Sequence, residues 1–351
     1  MARFSSSVGS SGSGGDRARA ASDELITVAS GDAVATIAPR AGLCVVSLVA
    51  GGRELLALPA PLAEFLATTR TGGIPLLYPW ANRLRGDDLT VRGRRLGLRD
   101  SPWCHRDEHG RPIHGLLLRW PEWSIDAVDA EGAGERNAAA SRPGALASEA
   151  IETVVAGASR EAAPGASIQA SLDWWTHDEL MRAYPFAHRL AVRFDLTASA
   201  LTISTTIHAL DDAVPVSFGW HPYLALRGPT SARRVHLPDR AAIALDESRL
   251  PIPADSAKPS PAGDEPLGVR ALDALFASIA DGASVEITDG ASHLIVEFAR
   301  GYDHMQLYAP MHADFACVEP MTAPIVALDD GASRTVAPGG SFTATWRLRW
   351  R

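Results

Sequence analysis

The best-patterned segments of this chain alternate apolar and polar side chains with a period of two residues. Residues 190–196 carry Leu, Val, Phe and Leu at every second position, and residues 201–207 continue the alternation with Leu and Ile. Residues 342–350 close the chain in the same way. Because successive side chains of a strand point to opposite faces, this pattern predicts half-buried antiparallel strands. Shorter strand candidates are residues 33–39, 44–50 and 166–174.

Turn signals between the strands extend the same interpretation. Asp289-Gly290 separates the apolar runs 285–288 and 293–298, which predicts a β-hairpin. Helical periodicity is scarce, and residues 271–279 are the main candidate for a short helix. Many strands with turns between them are typical of an all-β antiparallel sandwich or barrel and argue against alternating strands and helices.

Length and composition bear on the domain organisation. The chain has 351 residues, of which 46% are hydrophobic, enough for two or three domains or for one long all-β domain. Residues 129–165 are rich in Ala, Gly, Glu, Ser and Pro, while strand-like patterns continue on both sides. We therefore expect a surface insertion within a single domain of residues 25–351, with an interdomain linker as the alternative. Residues 1–24 are rich in Ser, Gly, Ala and Arg, which predicts a flexible tail. They lack the apolar core of a secretory signal.

Charge and cysteine content narrow the possible partners. A net charge of −8 with scattered basic residues argues against binding to nucleic acid. No apolar run is long enough to predict a membrane span. The three cysteines are widely spaced and form no CxxC or Cys/His array, so neither a disulfide framework nor a zinc site is predicted. These features favour a reduced, cytoplasmic setting, and they leave the oligomeric state open.

Four segments combine titratable residues with Gly and Pro inside this strand-rich chain. Since Gly and Pro mark turns in any β protein, each segment alone is more often a plain loop than a functional site. The four are residues 72–83 (GGIPLLYPWANR), 113–115 (IHG), 218–223 (FGWHPY) and 317–324 (CVEPMTAP).

Taken together and in this order, the four segments resemble the aldose 1-epimerase family, the galactose mutarotase-like proteins. The family pattern has an Asn-Arg pair after a Gly/Pro-rich strand start, then a His-Gly, a later His-x-Tyr and a Glu near the C-terminus. The matching residues are Asn82-Arg83, His114-Gly115, His221 with Tyr223, and Glu319. The resemblance extends from about residue 25 to the C-terminus and implies a large antiparallel β-sandwich with few short helices.

The resemblance also implies a role for each matching residue. Glu319 corresponds to the general base and His221 to the general acid. The residues that correspond to sugar-orienting groups are His114, Arg83 and Asn82. Asp273 and Gln306 are weaker matches to sugar contacts, and a helix-capping Asp and an exposed strand Gln are their alternatives.

The implied reaction interconverts the α and β anomers of a hexose by opening and reclosing the ring. A base takes the proton of the anomeric hydroxyl while an acid protonates the ring oxygen. A carboxylate and an imidazole suit this exchange because both can titrate near neutral pH. The expected partner is a small sugar, and neither a cofactor nor a metal is required.

Some residues point elsewhere within the same fold. Gly72-Gly73 and the segment around Arg119 are similar to hexose-6-phosphate 1-epimerases, which hold a phosphate with basic side chains, whereas Asn82-Arg83 favours a free sugar. A non-catalytic carbohydrate-binding protein is a further alternative. Trp80 and Trp220 lie inside two of the four segments and either stack on a sugar or pack in the core.

Overall fold

A computed structural model describes residues 25–130, 165–252 and 257–351 of the chain. The predicted tail of residues 1–24 and nearly all of the predicted insertion at 129–165 lie outside these ranges, so both stay predictions. The strands are β1 Ile26–Ser30, β2 Ala33–Ala38, β3 Cys44–Ala50, β4 Arg53–Glu54, β5 Leu76–Leu77, β6 Thr90–Val91, β7 Arg94–Arg95, β8 Ser124–Ala130, β9 Ala166–Asp173, β10 His188–Thr197, β11 Ala200–Ala209, β12 Val214–Val216, β13 Gly219–Trp220, β14 Tyr223–Ala225, β15 Arg234–Leu237, β16 Arg240–Ile243, β17 Lys258–Ser260, β18 Gly263–Pro266, β19 Leu272–Ala277, β20 Ala283–Thr288, β21 His293–Arg300, β22 His304–Ala309, β23 Phe315–Met321, β24 Arg334–Val336 and β25 Ser341–Trp350. The helices are α1 Leu62–Leu66 and α2 Asp178–Ala183.

Two large antiparallel sheets form the body of the molecule, which confirms the predicted all-β sandwich with few short helices. The nine-stranded sheet has the order β18-β15-β20-β21-β25-β11-β10-β9-β8. The eight-stranded sheet has the order β17-β16-β19-β22-β23-β13-β5, with β14 paired to β23. Strands β1 to β4 form a separate four-stranded sheet whose inner residues join the same core.

The predicted strand pairs are confirmed with their registers. In β10 and β11, Leu190 lies opposite Ile207 and Phe194 opposite Ile203, and all four side chains are buried. Strands β20 and β21 form the predicted hairpin. Its loop is held by Asp289, whose two carboxylate oxygens accept four backbone N–H groups at 2.6–2.9 Å. The alternation seen in the sequence therefore marks the faces that the two sheets bury against each other.

The predicted helix at residues 271–279 is wrong, because this segment forms β19 between β16 and β22. Leu272, Leu275 and Phe276 are buried, and their spacing imitates a helical stripe. Two flanking strands supply backbone hydrogen bonds along the segment, and this tertiary pairing outweighs a weak local preference. Asp273 therefore projects from a strand, and the helix-capping alternative for it is wrong as well.

The eight-stranded sheet has one face in the main core and a second face, called the polar face, which carries Gln306 and Glu319 beside a small apolar cluster with Leu275 and Met321. Met305 and Leu307 of β22 pack in the core between the sheets, whereas Gln306 between them faces the other way. In β23, Val318 belongs to the core and Glu319 is on the opposite face. The polar face therefore points away from the nine-stranded sheet.

Trp80 and Trp220 pack in the core, which decides between their two interpretations. Both side chains are fully buried in the main hydrophobic cluster. The indole N–H of Trp220 donates to Thr205 Oγ1 of β11 at 3.1 Å and thereby links the two sheets. These two rings belong to the sandwich and not to the surface of a ligand site.

A close backbone approach joins the first two motif segments. Gly115 bridges Tyr78, Ile113 bridges Arg83, and His114 N donates to Asn82 O at 2.9 Å. Gly115 has φ 73°, and a Cβ atom there would lie 2.1 Å from Tyr78 O. Only glycine fits this position, so its presence is what lets His114 lie beside Asn82.

Gly115→Ala is expected to lower the free energy of unfolding by roughly 2–5 kcal/mol, because it adds a backbone clash to the cost of a left-handed alanine. Gly110→Ala is the matched control, since Gly110 has φ 77° and open space where its Cβ would lie. That control should cost only about 1–2 kcal/mol. Urea unfolding of the two variants measures the difference, and equal losses would contradict the close-approach argument.

Candidate active site

A cavity of about 330 Å³ opens on the polar face of the eight-stranded sheet. All seven site residues predicted from the sequence line it, together with six others. The lining residues are Thr71, Asn82, Arg83, Glu108, Ile113, His114, His221, Tyr223, Arg249, Asp273, Gln306, Tyr308 and Glu319. The structure thus brings together predicted site residues that are up to 237 positions apart, from Asn82 to Glu319.

A histidine and a carboxylic acid meet deep in this cavity. His221 Nε2 lies 3.2 Å from Glu319 Oε1, and their side chains are only 6% and 2% exposed. The His221 ring stacks on Tyr223, with centroids 4.5 Å apart and an interplanar angle of 5°. The edge of His114 packs against His221 at 5.3 Å. The imidazole of His221 is therefore held in one orientation toward Glu319.

Burial shifts the pKa of both members of this pair toward their neutral forms. It lowers the pKa of His221, and it raises the pKa of Glu319 well above the ordinary range of a carboxyl group. The charge of Asp273 raises the pKa of Glu319 further, and Arg83 opposes that shift. When the pair holds one proton, it is either a protonated His221 beside an ionised Glu319 or a neutral His221 beside a protonated Glu319. The net charge is zero in both cases, so burial favours the state with one proton.

His114 is a neutral neighbour of the pair. Burial lowers its pKa well below the ordinary value, and the nearby His221 and Arg83 lower it further. Its Nδ1 atom is buried without a hydrogen-bond partner in the described residues, as are His221 Nδ1, Gln306 Oε1 and Glu319 Oε2. Buried polar atoms without protein partners are uncommon, and here four of them belong to side chains that line the same cavity.

Arg83 forms one wall of the cavity and is held by a residue that the sequence did not indicate. Its Nε donates to Asp107 Oδ2 at 2.8 Å, and Nη1 donates to Asn82 Oδ1 at 3.2 Å. The other oxygen of Asp107 accepts the backbone N–H groups of His109 and Arg111, both at 2.9 Å. Burial of Asp107 opposes its ionisation, but these donors outweigh that effect and lower its pKa. The guanidinium is thus fixed by a charged, immobile partner.

The opposite wall comes from adjacent strands of the sheet. Gln306 lies opposite Glu319 in the pairing of β22 with β23, and Asp273 lies opposite Tyr308 in the pairing of β19 with β22. Gln306 Nε2 donates to Asp273 Oδ1. Gln306 is buried, so the alternative that it is an exposed strand residue is wrong.

Five further polar or aromatic residues line the cavity from outside the predicted set, namely Thr71, Glu108, Tyr223, Arg249 and Tyr308. Arg249 Nη1 lies 3.2 Å from Asp273 Oδ2, and Arg249 has a left-handed backbone with φ 62°. Tyr308 follows Gln306 by two positions, a spacing that puts both on one face of a strand. Tyr223 belongs to the His-x-Tyr motif, and Thr71 donates to or accepts from its hydroxyl at 2.5 Å.

Arg119 lies in the segment that is similar to hexose-6-phosphate 1-epimerases, but its side chain binds backbone carbonyls and not a cavity ligand. Its guanidinium donates to the carbonyl oxygens of Thr68, Leu118 and Arg70 at 2.6–2.8 Å. It also lies over the ring of Phe65, 4.6 Å from the centroid. Arg119 does not line the cavity. Its hydrogen bonds to the backbone therefore give it a structural role, although the sequence around it is similar to hexose-6-phosphate 1-epimerases.

Within the described ranges, no group of three or more His, Cys, Asp or Glu side chains is arranged to hold a metal ion. The thiols of Cys44, Cys104 and Cys317 are free. Among the described helices, none is long and apolar enough to cross a membrane.

Comparison with known proteins identifies the family. The family model described as aldose 1-epimerase matches residues 158–349, more than half of the chain. The chain belongs to the aldose 1-epimerase family. The matched region contains His221, Asp273, Gln306 and Glu319, whereas Asn82-Arg83 and His114 precede it.

Solved structures share the fold of this family member at low sequence identity. A galactose mutarotase-like protein from Clostridium acetobutylicum aligns with a TM-score of 0.71 at 17% identity, over 93% of this chain and 95% of its own. A protein from Synechocystis sp. PCC 6803 aligns at 0.68 and 20% identity, over 93% and 95%. Galactose 1-epimerase from Lactobacillus acidophilus NCFM aligns at 0.64 and 14% identity, over 93% and 94%. No curated protein matches the chain.

Proposed function

We propose that the protein is a mutarotase that interconverts the α and β anomers of a free hexose. The observation that carries this proposal is the buried pair of His221 Nε2 and Glu319 Oε1, 3.2 Å apart in a polar cavity of about 330 Å³. An acid and a base so placed can act on two neighbouring oxygens of one sugar ring.

In the proposed mechanism the pair carries one exchangeable proton, which burial favours on Glu319 and which passes to His221 across the 3.2 Å contact before the ring opens. Glu319 removes the proton of the anomeric hydroxyl, the C1–O1 bond becomes a carbonyl, and the C1–O5 bond breaks. O5 takes the proton from His221, so the pair again holds one proton, now on Glu319. After rotation about C1–C2 the same steps run in reverse, and they yield the other anomer.

The remaining lining residues suit the binding and orientation of this substrate. Arg83 and neutral His114 are proposed to hydrogen-bond O1 and O5, the two oxygens that gain charge as the ring opens. Asn82 and Asp107 hold Arg83 in place. Asp273 and Gln306 are proposed to bind sugar hydroxyls from the opposite wall. Because these groups are already hydrogen-bonded to one another, their orientation before binding is largely set.

The charges of the cavity favour a neutral sugar over a sugar phosphate. Its two guanidinium groups already have carboxylate partners, Asp107 for Arg83 and Asp273 for Arg249. Glu108 and Glu319 add two further carboxyl groups to the lining. A phosphate dianion would therefore enter a cavity in which no cationic side chain lacks a counter-charge.

Anomeric exchange is the direct test of the proposal. Saturation-transfer NMR on freshly dissolved aldoses and hexose 6-phosphates should show that the protein accelerates exchange of at least one neutral sugar. If the protein accelerates exchange of none of these sugars, the mutarotase proposal is wrong and a non-catalytic sugar-binding protein is favoured. If it strongly prefers a hexose 6-phosphate, the proposed neutral substrate is wrong.

Removing either member of the pair is expected to lower kcat by about 10²-fold or more. Glu319→Gln keeps the size of the side chain but cannot accept the proton, and His221→Asn removes the titrating ring. Since the two act in one transfer, the double variant should lose far less than the product of the single losses. Melting temperatures control for folding, and full activity in Glu319→Gln would refute its role as the base.

The pH dependence of kcat/KM should show a broad plateau. At low pH the pair gains a second proton, and because burial lowers the pKa of His221 to about 3, this occurs far below the ordinary histidine value of about 6.5. At high pH the pair loses its one proton, and because burial raises the pKa of Glu319, this occurs well above the ordinary value of about 4.3 for glutamate. Activity that falls as the pH drops through 6.5 would contradict the lowered pKa of His221.

A further inference from the structure

Arg249 lines the site cavity but has no role in the proposed proton transfer. It lies in the loop between β16 and β17, and its Nη1 atom is 3.2 Å from Oδ2 of Asp273. Apart from Asp273, its guanidinium has no hydrogen-bond or ion-pair partner among the described residues. Because a guanidinium has more N–H donors than one carboxylate oxygen uses, donors remain for a ligand in the cavity.

The turn that carries Arg249 is held by hydrogen bonds and by burial. Arg249 N donates to Asp246 O at 3.0 Å, and Asp246 Oδ1 accepts the backbone N–H groups of Ser248 and Leu250 at 2.8 and 3.0 Å. The side chain of Leu250 is buried in the small apolar cluster beside the polar face. Arg111 Nη1 donates to Ser248 O at 3.1 Å. The position of Arg249 is therefore largely set before a ligand binds.

The backbone of Arg249 is left-handed, with φ 62°. Glycine adopts this conformation without strain, whereas arginine does not. An arginine at this position therefore costs stability that a glycine would not. Such strain is commonly kept where the side chain is needed for function.

Arg249 and Asp273 lie at the end of the cavity that is remote from the reacting pair. Asp273 belongs to β19 and Glu319 to β23, and one strand, β22, separates them. Neighbouring strands are about 4.8 Å apart, so roughly 10 Å separates these two strands. This width accommodates one pyranose ring with a hydrogen bond on each side. With C1 at Glu319, Asp273 and Arg249 therefore face ring hydroxyls other than the anomeric one.

A carboxylate beside a guanidinium is complementary to a sugar hydroxyl, which both donates and accepts. Asp273 can accept the proton of the hydroxyl while Arg249 donates an N–H group to its oxygen. Donation to the carboxylate makes that oxygen a better acceptor, so the two hydrogen bonds strengthen each other. Since both protein groups are charged, each bond is stronger than one between neutral groups.

We propose that Arg249 is a specificity-determining residue, which donates to the oxygen of the same sugar hydroxyl whose proton Asp273 accepts. The inference rests on the proposed mutarotase function, which places C1 at Glu319. It adds a residue that selects the substrate at a second point of the ring. An aldose that lacks this hydroxyl leaves both charged groups without their ligand and is discriminated against.

The first test compares the aldose that is turned over with its 2-, 3-, 4- and 6-deoxy analogues by exchange NMR. Arg249→Met keeps a long side chain but removes the donors, so kcat/KM for the parent aldose should fall roughly 10- to 100-fold, as for a hydrogen bond to a charged group. One deoxy analogue, which lacks the bound hydroxyl, should be little affected by the substitution. The other analogues should lose as much as the parent. An equal loss on every sugar, or no loss on any, would overturn the proposal.

Arg270→Met is the matched control for this substitution. Arg270 is likewise an exposed arginine with one carboxylate partner, Glu265 at 2.8 Å, but it does not line the cavity. Its replacement should leave kcat/KM unchanged for every sugar.

Two further variants distinguish direct contact from support of Asp273. If Arg249 contacts the sugar, adding Arg249→Met to Asp273→Ala lowers kcat/KM again, whereas no second loss would show that Arg249 acts only through Asp273 and would overturn the proposal. Arg249→Gly suits the left-handed backbone, so it should lower kcat/KM as Arg249→Met does while the melting temperature is unchanged or rises. A large fall in melting temperature would mark Arg249 as a structural residue instead.

Calorimetric titration with the same sugars separates this inference from the proposed function. Arg249→Met should bind the parent aldose more weakly than the native protein does, and should bind the matching deoxy analogue equally well. That result without turnover by the native protein would contradict the mutarotase proposal and keep the role of Arg249. Turnover by the native protein with unchanged binding and kcat/KM in Arg249→Met would do the reverse.

Discussion

The burial of one carboxyl group, Glu319, is the constraint on which the site depends. A lone ionised carboxylate with 2% of its side chain exposed would be strongly destabilising, so its neighbours must compensate. His221 does this by sharing one proton with it, which leaves the pair without net charge. Arg83 favours the ionised form of Glu319, and Asp273 opposes it. A carboxyl group balanced in this way can release and accept a proton at little cost, as the proposed ring-opening reaction requires.

The sandwich keeps this pair in place through the alternation of its strands. Trp220 is anchored between the sheets by its hydrogen bond to Thr205, and His221 follows it directly. Val318 is buried in the core, and Glu319 follows it on the opposite face. Both members of the pair are thus attached to residues whose positions are set by core packing, and sites supported by strands are held more precisely than sites on loops.

The sequence was sufficient to predict the main strand pairs, and it indicated seven residues that the structure brings together around one cavity, but it did not reveal the contacts that orient them. Alternation along β10, β11 and β25 predicts strands with one buried face, because successive side chains of a strand point to opposite sides. The order of the four motif segments indicates which distant parts of the chain meet at the site. The apolar spacing of residues 271–279 predicts a helix, whereas the segment forms β19, because that spacing is ambiguous without the two partner strands. Asp107 and Arg249 were missed because each acts through a tertiary ion pair, with Arg83 and with Asp273, that no local pattern reveals.

Backbone conformations at the site show where the fold sets side-chain direction at an energetic cost. Asn82 and His114 have left-handed backbones, with φ 59° and 62°, which cost roughly 1–2 kcal/mol for an ordinary L-residue. They are joined by the hydrogen bond from His114 N to Asn82 O, and the bridge of Gly115 to Tyr78 holds the second segment in place. An extended backbone at either position would turn its side chain away from the cavity. The backbone strain is therefore located at the residues whose side chains contact Arg83 and His221, namely Asn82 and His114. The packing of the surrounding sheets maintains it.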